Sequence, residues 1–334
     1  MLFLSTVILI AVYATIHNIV SQTEVSLHMQ GGERYNSISD YLKSEFGRKT
    51  VKLSIDAGFT CPNRDGKAGY GGCAFCSEGG SGELASRASL SDSDYSASIS
   101  EQIDRLSEKW PDACYLAYFQ SFTNTYAPVD VLRSRYYAAL DDPRISGIAI
   151  ATRPDCLGKD VLSLLEEINR NHFMWVELGL QSTHDKTLLD MNTCYTFEDY
   201  EKAAGALIAR GIRVVTHLIL GLPGETQEMM IESVKRVCSL PVFGLKLHLM
   251  NIVKTSPLYK AMPDYVPFDT IEEYVDLAVR CLEIIPPEVT IHRLTGDVPR
   301  KILVSPEWSY RKRTILNMIN SELKRRDTRQ GAAL

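Results

Sequence analysis

From residue 50 onward, short apolar runs alternate with longer segments whose apolar residues recur at helical spacing. VKLSI (51–55), CYLAYF (114–119), ISGIAIA (145–151), FMWVELGL (173–180), IRVVTHLIL (212–220) and GLKLHL (244–249) read as strands. Helical patterns lie between them, near 94–109, 129–140, 158–170, 197–210 and 225–239. Strand, helix and strand in repetition imply right-handed crossovers and a parallel sheet, so the chain is of the α/β class. Six such units fall short of the eight of a complete barrel. An incomplete barrel and a doubly wound sheet both satisfy this pattern. A further helix near 269–284, a strand at 289–294 and a C-terminal helix are available to close the open edge. With 334 residues, 45% of them hydrophobic, the chain can bury a large core, and no Pro/Ser-rich linker divides it.

A net charge of -5 gives no global reason to expect nucleic acid or an anionic membrane as a partner. The charge is uneven, however: residues 307–334 hold seven Lys/Arg against three Asp/Glu. The segment YRKRTILNMINSELKRR reads as an amphipathic helix that docks Ile315, Ile319 and Leu323 on the core and solvates its cations. Contact with an acidic partner is the competing reading. At the other end, residues 1–20 are apolar enough for a signal peptide or a marginal membrane anchor, yet no Lys or Arg precedes Arg34. Translation beginning at Met29 is the preferred expectation.

Eight cysteines in a chain of this length are not a disulfide framework. Cys114, Cys156, Cys194, Cys238 and Cys281 are scattered singly, whereas Cys61, Cys73 and Cys76 share one glycine-rich loop, CPNRDGKAGYGGCAFC, directly after the first strand. That places them at a strand's C-terminal end, where barrels and open sheets put their chemistry. A structural zinc site normally has four protein ligands, and a distant His could complete one here. An electron-transfer [4Fe-4S] centre also takes four cysteines. Three thiolates therefore suggest a cubane cluster with one iron left open, and thiolates that must stay reduced belong in a reducing compartment.

The loop resembles the radical S-adenosylmethionine (SAM) superfamily, in which the amino and carboxylate groups of SAM chelate the fourth iron. The aromatic before the last cysteine is present as Phe75, but the first gap holds eleven residues instead of the common three. Longer gaps occur in the branch of the elongator catalytic subunit. HLILGLPGET, TRPD and ELGLQS look like that branch and like the coproporphyrinogen-oxidase-like enzymes. Residues 30–325 are similar to a bacterial subfamily of radical SAM proteins. The resemblance implies an incomplete (β/α)6 TIM-like barrel over residues 29–295, after an apolar extension at 1–28 and before a basic helical extension at 296–334.

Strand parity adds candidate contacts. Trp175, Glu177, Gly179 and Gln181 share one face, and the polar set should face the cavity. By the resemblance, Glu177 and Gln181 would hold the ribose of SAM, Phe75 and Gly221 would lie beside the adenine, and Gln120 would meet the methionyl amino group. The competing reading pairs Glu177 with Arg153 in a buried ion pair. Lys246 and His248 share the cavity face of the sixth strand as candidate substrate or cofactor contacts, while His217 and His292 read as satisfied core groups.

The implied activity is reductive cleavage of SAM by a [4Fe-4S] cluster, with hydrogen abstraction from a substrate for which RNA is one candidate. A one-electron donor such as flavodoxin or ferredoxin is implied, as is a cytoplasmic location. The alternative from another class is a non-catalytic zinc-binding barrel that holds RNA through its basic tail.

Overall fold

In β3 (Cys114–Phe119) all six residues are buried, which requires cover on both faces of the sheet. The computed structural model describes residues 34–80, 86–87 and 92–334, so the apolar segment 1–28 lies outside the described residues. β1 is Thr50–Asp56 and β2 the short Ser86–Arg87; β4 is Ile145–Thr152, β5 Phe173–Gln181, β6 Arg213–Leu220, β7 Gly244–Leu249 and β9 Thr290–Arg293. They form one parallel sheet in the order β2-β1-β3-β4-β5-β6-β7-β9. Apart from β2 at the edge, the order follows the chain without reversal. A doubly wound sheet would show a switch point, and this one has none.

One side of the sheet is covered by α2 (Asp92–Ser107), α3 (Val129–Leu140), α4 (Lys159–Asn171), α6 (Phe197–Ile208), α7 (Gln227–Cys238) and α9 (Ile271–Glu283). Each presents an apolar stripe, as α4 does with Val161, Leu162, Leu164, Leu165 and Ile168. The starts of α6, α7 and α9 are fixed by side-chain caps: Thr196 forms a capping box with Asp199, and Thr226 and Thr270 accept from the backbones of Met229 and Glu273.

The other side is concave. Leu42 of α1 (Ile38–Phe46) packs in one cluster with Leu116 and Tyr118 of β3, Ala149 and Ala151 of β4, Trp175 of β5 and Val215 of β6. Four successive strands can converge on one helix only if the sheet curls round it, so α1 plugs the base of a half-barrel. The expected 289–294 strand joins the far edge beside β7, and Ser37 bridges to Ile291 there. The C-terminal helix α10 (Lys312–Arg325) buries Ile315, Ile319 and Leu323 as its pattern foretold. The sequence reading omitted α1 and β2, and with them elements too short to show a period: α5 (Asp185–Asp190), α8 (Pro257–Ala261) and the antiparallel pair β8 (Ile252–Val253) with β10 (Leu303–Ser305).

Candidate active site

The loop after β1 wraps into compact turns. Arg64 N–H donates to the Cys61 carbonyl (2.8 Å), Cys76 N–H to that of Cys73 (3.0 Å), and Ala74 N–H reaches across to Met191 (2.9 Å). Gly69 is a position that only glycine fills, since a Cβ there would lie 2.4 Å from Asn63 Oδ1 and 2.8 Å from Cys194 Sγ. With Asn63 so held, its amide donates to Cys73 Sγ (3.6 Å). Arg64 donates to Cys76 Sγ (3.5 Å), and Arg153 reaches Cys73 Sγ at 4.0 Å. Three donors aimed at two sulfurs favour thiolate over thiol. Without a bound cation, burial and then the neighbouring Cys76 push the Cys73 thiol up to about 12, against Arg153 and Asn63. A metal would therefore displace a proton on binding.

Cys61, Cys73 and Cys76 line one wall of a cavity of about 250 Å³, and the strand ends line the opposite wall. Its base is a hydrogen-bonded cluster around Glu177, which has no exposed surface. Glu177 Oε1 accepts from Trp175 Nε1 (3.0 Å). Its Oε2 faces Tyr118 OH (2.7 Å), His217 Nε2 (2.9 Å) and Lys246 Nζ. Burial alone would push this carboxyl up, but Lys246, His217 and Lys52 outweigh it and hold it well below its usual range. Above the base, His248 Nε2 and Asn251 Oδ1 are buried without a partner among the described residues, and both residues line the cavity. Orphaned polar atoms facing a cavity are what a polar ligand would satisfy.

Comparison with known proteins settles the family. The model of the Radical SAM superfamily matches residues 61–237, and that of the Radical_SAM C-terminal domain matches 242–325. The chain belongs to the radical SAM superfamily. It is 43% identical over 300 residues to a Bacillus subtilis (strain 168) protein designated YtqA, covering 90% of this chain and 92% of that one. It is also similar, at 27% identity over 166 residues, to the tRNA uridine(34) acetyltransferase of Methanocaldococcus jannaschii, covering 48% of this chain and 30% of that one. Among solved structures, archaeal Methanocaldococcus infernus Elp3 with an N-terminal deletion shares the fold, with a TM-score of 0.64 at 16% identity, over 84% of this chain and 64% of that one.

As a radical SAM protein the chain is an enzyme, and the family implies an iron-sulfur cluster and SAM. The donor set fits both groups: three thiols with N–H donors at two of the sulfurs, and orphaned polar atoms across the cavity. Among the described residues no three His, Cys, Asp or Glu side chains group tightly enough for a single metal ion. Nor is any helix of the described residues long and apolar enough to cross a membrane.

The expected residues divide by position. Phe75, Gln120, Glu177, Gln181 and His248 line the cavity with the three cysteines. Lys246 lines an adjoining chamber instead. Gly221 is in neither lining; a Cβ there would sit 2.6 Å from the Phe268 ring, so this glycine serves close packing. The buried ion pair of Glu177 is with Lys246 and not with Arg153, which is bidentate to Asp155 (2.9 and 2.8 Å). Arg153 of the TRPD segment thus lies against the cysteine loop, within 4.0 Å of Cys73 Sγ, a contact its spacing could not show. Asn63, Arg64, Tyr118 and Tyr195, which lines the cavity and donates its hydroxyl to the Gly179 carbonyl (2.7 Å), were likewise missed, because each meets the site through folding and not through a motif.

His217 is also no bystander of the core. Burial, then Lys246, pull it down to about 4 against Glu177, and burial pulls His248 and His292 well below their ordinary value of 6.5. These rings stay neutral in the folded chain and protonate near pH 6.5 in the unfolded one. The unfolded state therefore binds more protons between about pH 4 and about pH 6.5, so stability must fall as pH drops through that window. Each histidine adds a slope of about 1.4 kcal/mol per pH unit. Urea unfolding across that range should show a shallower slope for His217→Asn than for the natural chain. Equal slopes would mean that His217 is protonated in the fold.

Proposed function

We propose that Cys61, Cys73 and Cys76 hold a [4Fe-4S] cluster whose open iron binds SAM within the half-barrel, and that the enzyme removes a hydrogen atom from its substrate. What carries this reading is the convergence of the three loop thiols and the strand-end polar residues on one cavity. When bound, such a cluster supplies one electron to SAM, received in turn from a donor such as flavodoxin or ferredoxin. The chain's own residues bind, orient and exclude water. Asn63, Arg64 and Arg153 steady the thiolates, and hydrogen bonds to cluster sulfurs also tune the potential.

Gln181 takes the ribose contact in this reading. It lies at a bulge of β5 with φ 76°, and its amide folds over Gly179, where a Cβ would come within 2.8 Å of Nε2. Glu177 has its acceptor sites filled by four donors and acts as the post on which the cavity base is built. Gln120 and His248 remain the polar contacts for the amino acid part of SAM or for the substrate. RNA is the proposed substrate class: a partial relative is named for a tRNA, and the exposed cations of α10, Arg313 and Lys324 among them, offer phosphates a surface.

Protein purified without oxygen should be brown, carry four irons per chain and release 5'-deoxyadenosine when given SAM and dithionite. Addition of tRNA should raise that release above the level reached with a metabolite pool. Colourless protein with zinc would instead support the non-catalytic barrel.

A further inference from the structure

Beside the main cavity lies a chamber of about 510 Å³ between α1, β1, β9 and α10. Tyr118, Gln120, Arg293 and Asp297 belong to both linings, so the two spaces share a wall. The chamber is cationic. Lys52, Lys246, Arg293 and Lys312 face only Asp40 and Asp297. Lys246 is matched by Glu177, and Asp297 is shared by Arg293 (3.7 Å) and Lys312 (3.0 Å). Asp40, hydrogen-bonded to Ser37, adds one more negative charge to the lining, so four cations stand against three carboxylates and the formal balance is one positive charge.

The unmatched cation is Lys52. Its amine rests over the rings of Trp175 (4.9 Å) and Tyr118 (5.5 Å), and no carboxylate among the described residues lies within ion-pair distance of it. Burial holds it below the ordinary lysine range against the pull of Glu177, and Arg293 repels it further. Lys52 and Arg293 thus repel each other, and the one carboxylate that meets Arg293, Asp297, is shared with Lys312. In the same wall His292 Nδ1 is sealed from solvent without a partner, although Nε2 meets Thr290 Oγ1 (3.0 Å). A half-buried lysine without a carboxylate partner, beside a sealed ring nitrogen without a hydrogen bond, is what an anionic ligand would complete.

We propose that this chamber holds one singly charged anionic group of the substrate, a carboxylate or a phosphodiester, between Lys52 and Arg293. The inference rests on the adjoining cavity being the seat of the radical chemistry, for that is what makes a neighbouring anion site a substrate site. One excess charge favours a monoanion over the dianion of a phosphate monoester. An anion between the two cations would relieve their repulsion and raise the protonated fraction of Lys52.

The test uses the full chain with its cluster and SAM. Limiting reductive methylation labels lysines, and peptide mass spectrometry reads Lys52. Acetate, dimethyl phosphate, inorganic phosphate and neutral N-methylacetamide are the probes. Acetate or dimethyl phosphate should lower labelling of Lys52 by at least about threefold while Lys43 on the exposed side of α1 is unaffected. Protection by acetate alone assigns a carboxylate, and protection by dimethyl phosphate alone assigns a phosphodiester. Arg293→Met should abolish the protection and Arg293→Lys should keep part of it, which separates lost charge from lost fold. Labelling unchanged by every anion, protection as strong by the neutral amide, stronger protection by inorganic phosphate, or protection kept in Arg293→Met would each overturn the proposal. Iron content and 5'-deoxyadenosine release by the unsubstituted chain are scored separately. If they fail while protection holds, it is the radical reading that is wrong.

Discussion

Cys61→Ala, Cys73→Ala and Cys76→Ala are each expected to lose essentially all of the visible absorbance and bound iron of the anaerobic protein. The three sulfurs share one cavity wall, and a cubane already short of one protein ligand has none to spare. The informative controls are the nearby cysteines. Cys194 Sγ lies 3.3 Å from Asn63 Oδ1, at the edge of the same loop, and Cys156 follows the TRPD segment that supplies Arg153. Neither lines the cavity. Cys194→Ser and Cys156→Ala should therefore keep four irons, as should Cys281→Ala, whose thiol is buried in the helical layer. Loss of iron in any of these three with retention in Cys76→Ala would show that the ligand set is wrong.

Glu177→Gln is expected to cost stability on a scale of about 3–5 kcal/mol, because it leaves Lys246 buried beside an amide that cannot neutralise it. Burial already pulls the Lys246 amine down to about 7 against the attraction of Glu177, so the amine would shed its proton once that attraction is removed. Tyr118, Trp175 and His217 lose their common acceptor at the same time. The double change Glu177→Gln with Lys246→Met should recover part of the loss, since no buried amine then remains to be stripped of its proton or left without a partner. Urea unfolding of the three proteins measures this directly. A single-variant loss below about 1 kcal/mol, with no recovery in the double, would mean that water reaches the pair and that the base of the cavity is not sealed. SAM affinity measured on folded protein should fall more for Gln181→Ala than for Glu177→Gln, and the reverse order would return the ribose contact to Glu177.

Much of this protein can be read from its sequence because the signals are local and periodic. The alternation of 51–55, 114–119, 145–151, 173–180, 212–220 and 244–249 with helical segments corresponds to β1, β3, β4, β5, β6 and β7. A strand buried on both faces shows as an unbroken apolar run, and a helix on one face as a 3.6-residue stripe. Three cysteines after the first strand have one place to be, since a loop that follows a parallel strand starts at its C-terminal end. Ile315, Ile319 and Leu323 announced the docking face of α10 by the same periodicity.

Charge pairing was not legible. Glu177 meets Lys246, which is 69 positions away, and Tyr118, which is 59 away. Parity correctly placed Glu177 on the inner face, but it could not say whether the barrel would offer it a ribose or a lysine. That choice depends on which strands end side by side, and only closure of the sheet around α1 fixes it. The same holds for Arg153: TRPD is a motif to the eye, yet its contact with Cys73 arises from a loop 80 residues earlier folding against the end of β4. The cationic chamber is the furthest removed from sequence. Lys52, Lys246, Arg293 and Lys312 sit on four separate elements, each unremarkable where it stands. Local pattern determined the strands, the helices and the thiolate loop, because those depend on residues within a turn or two of each other. Tertiary structure decided which charges are answered and which are left open, because electrostatic energy depends on distance in space, and the chain sets that distance only when the sheet curls.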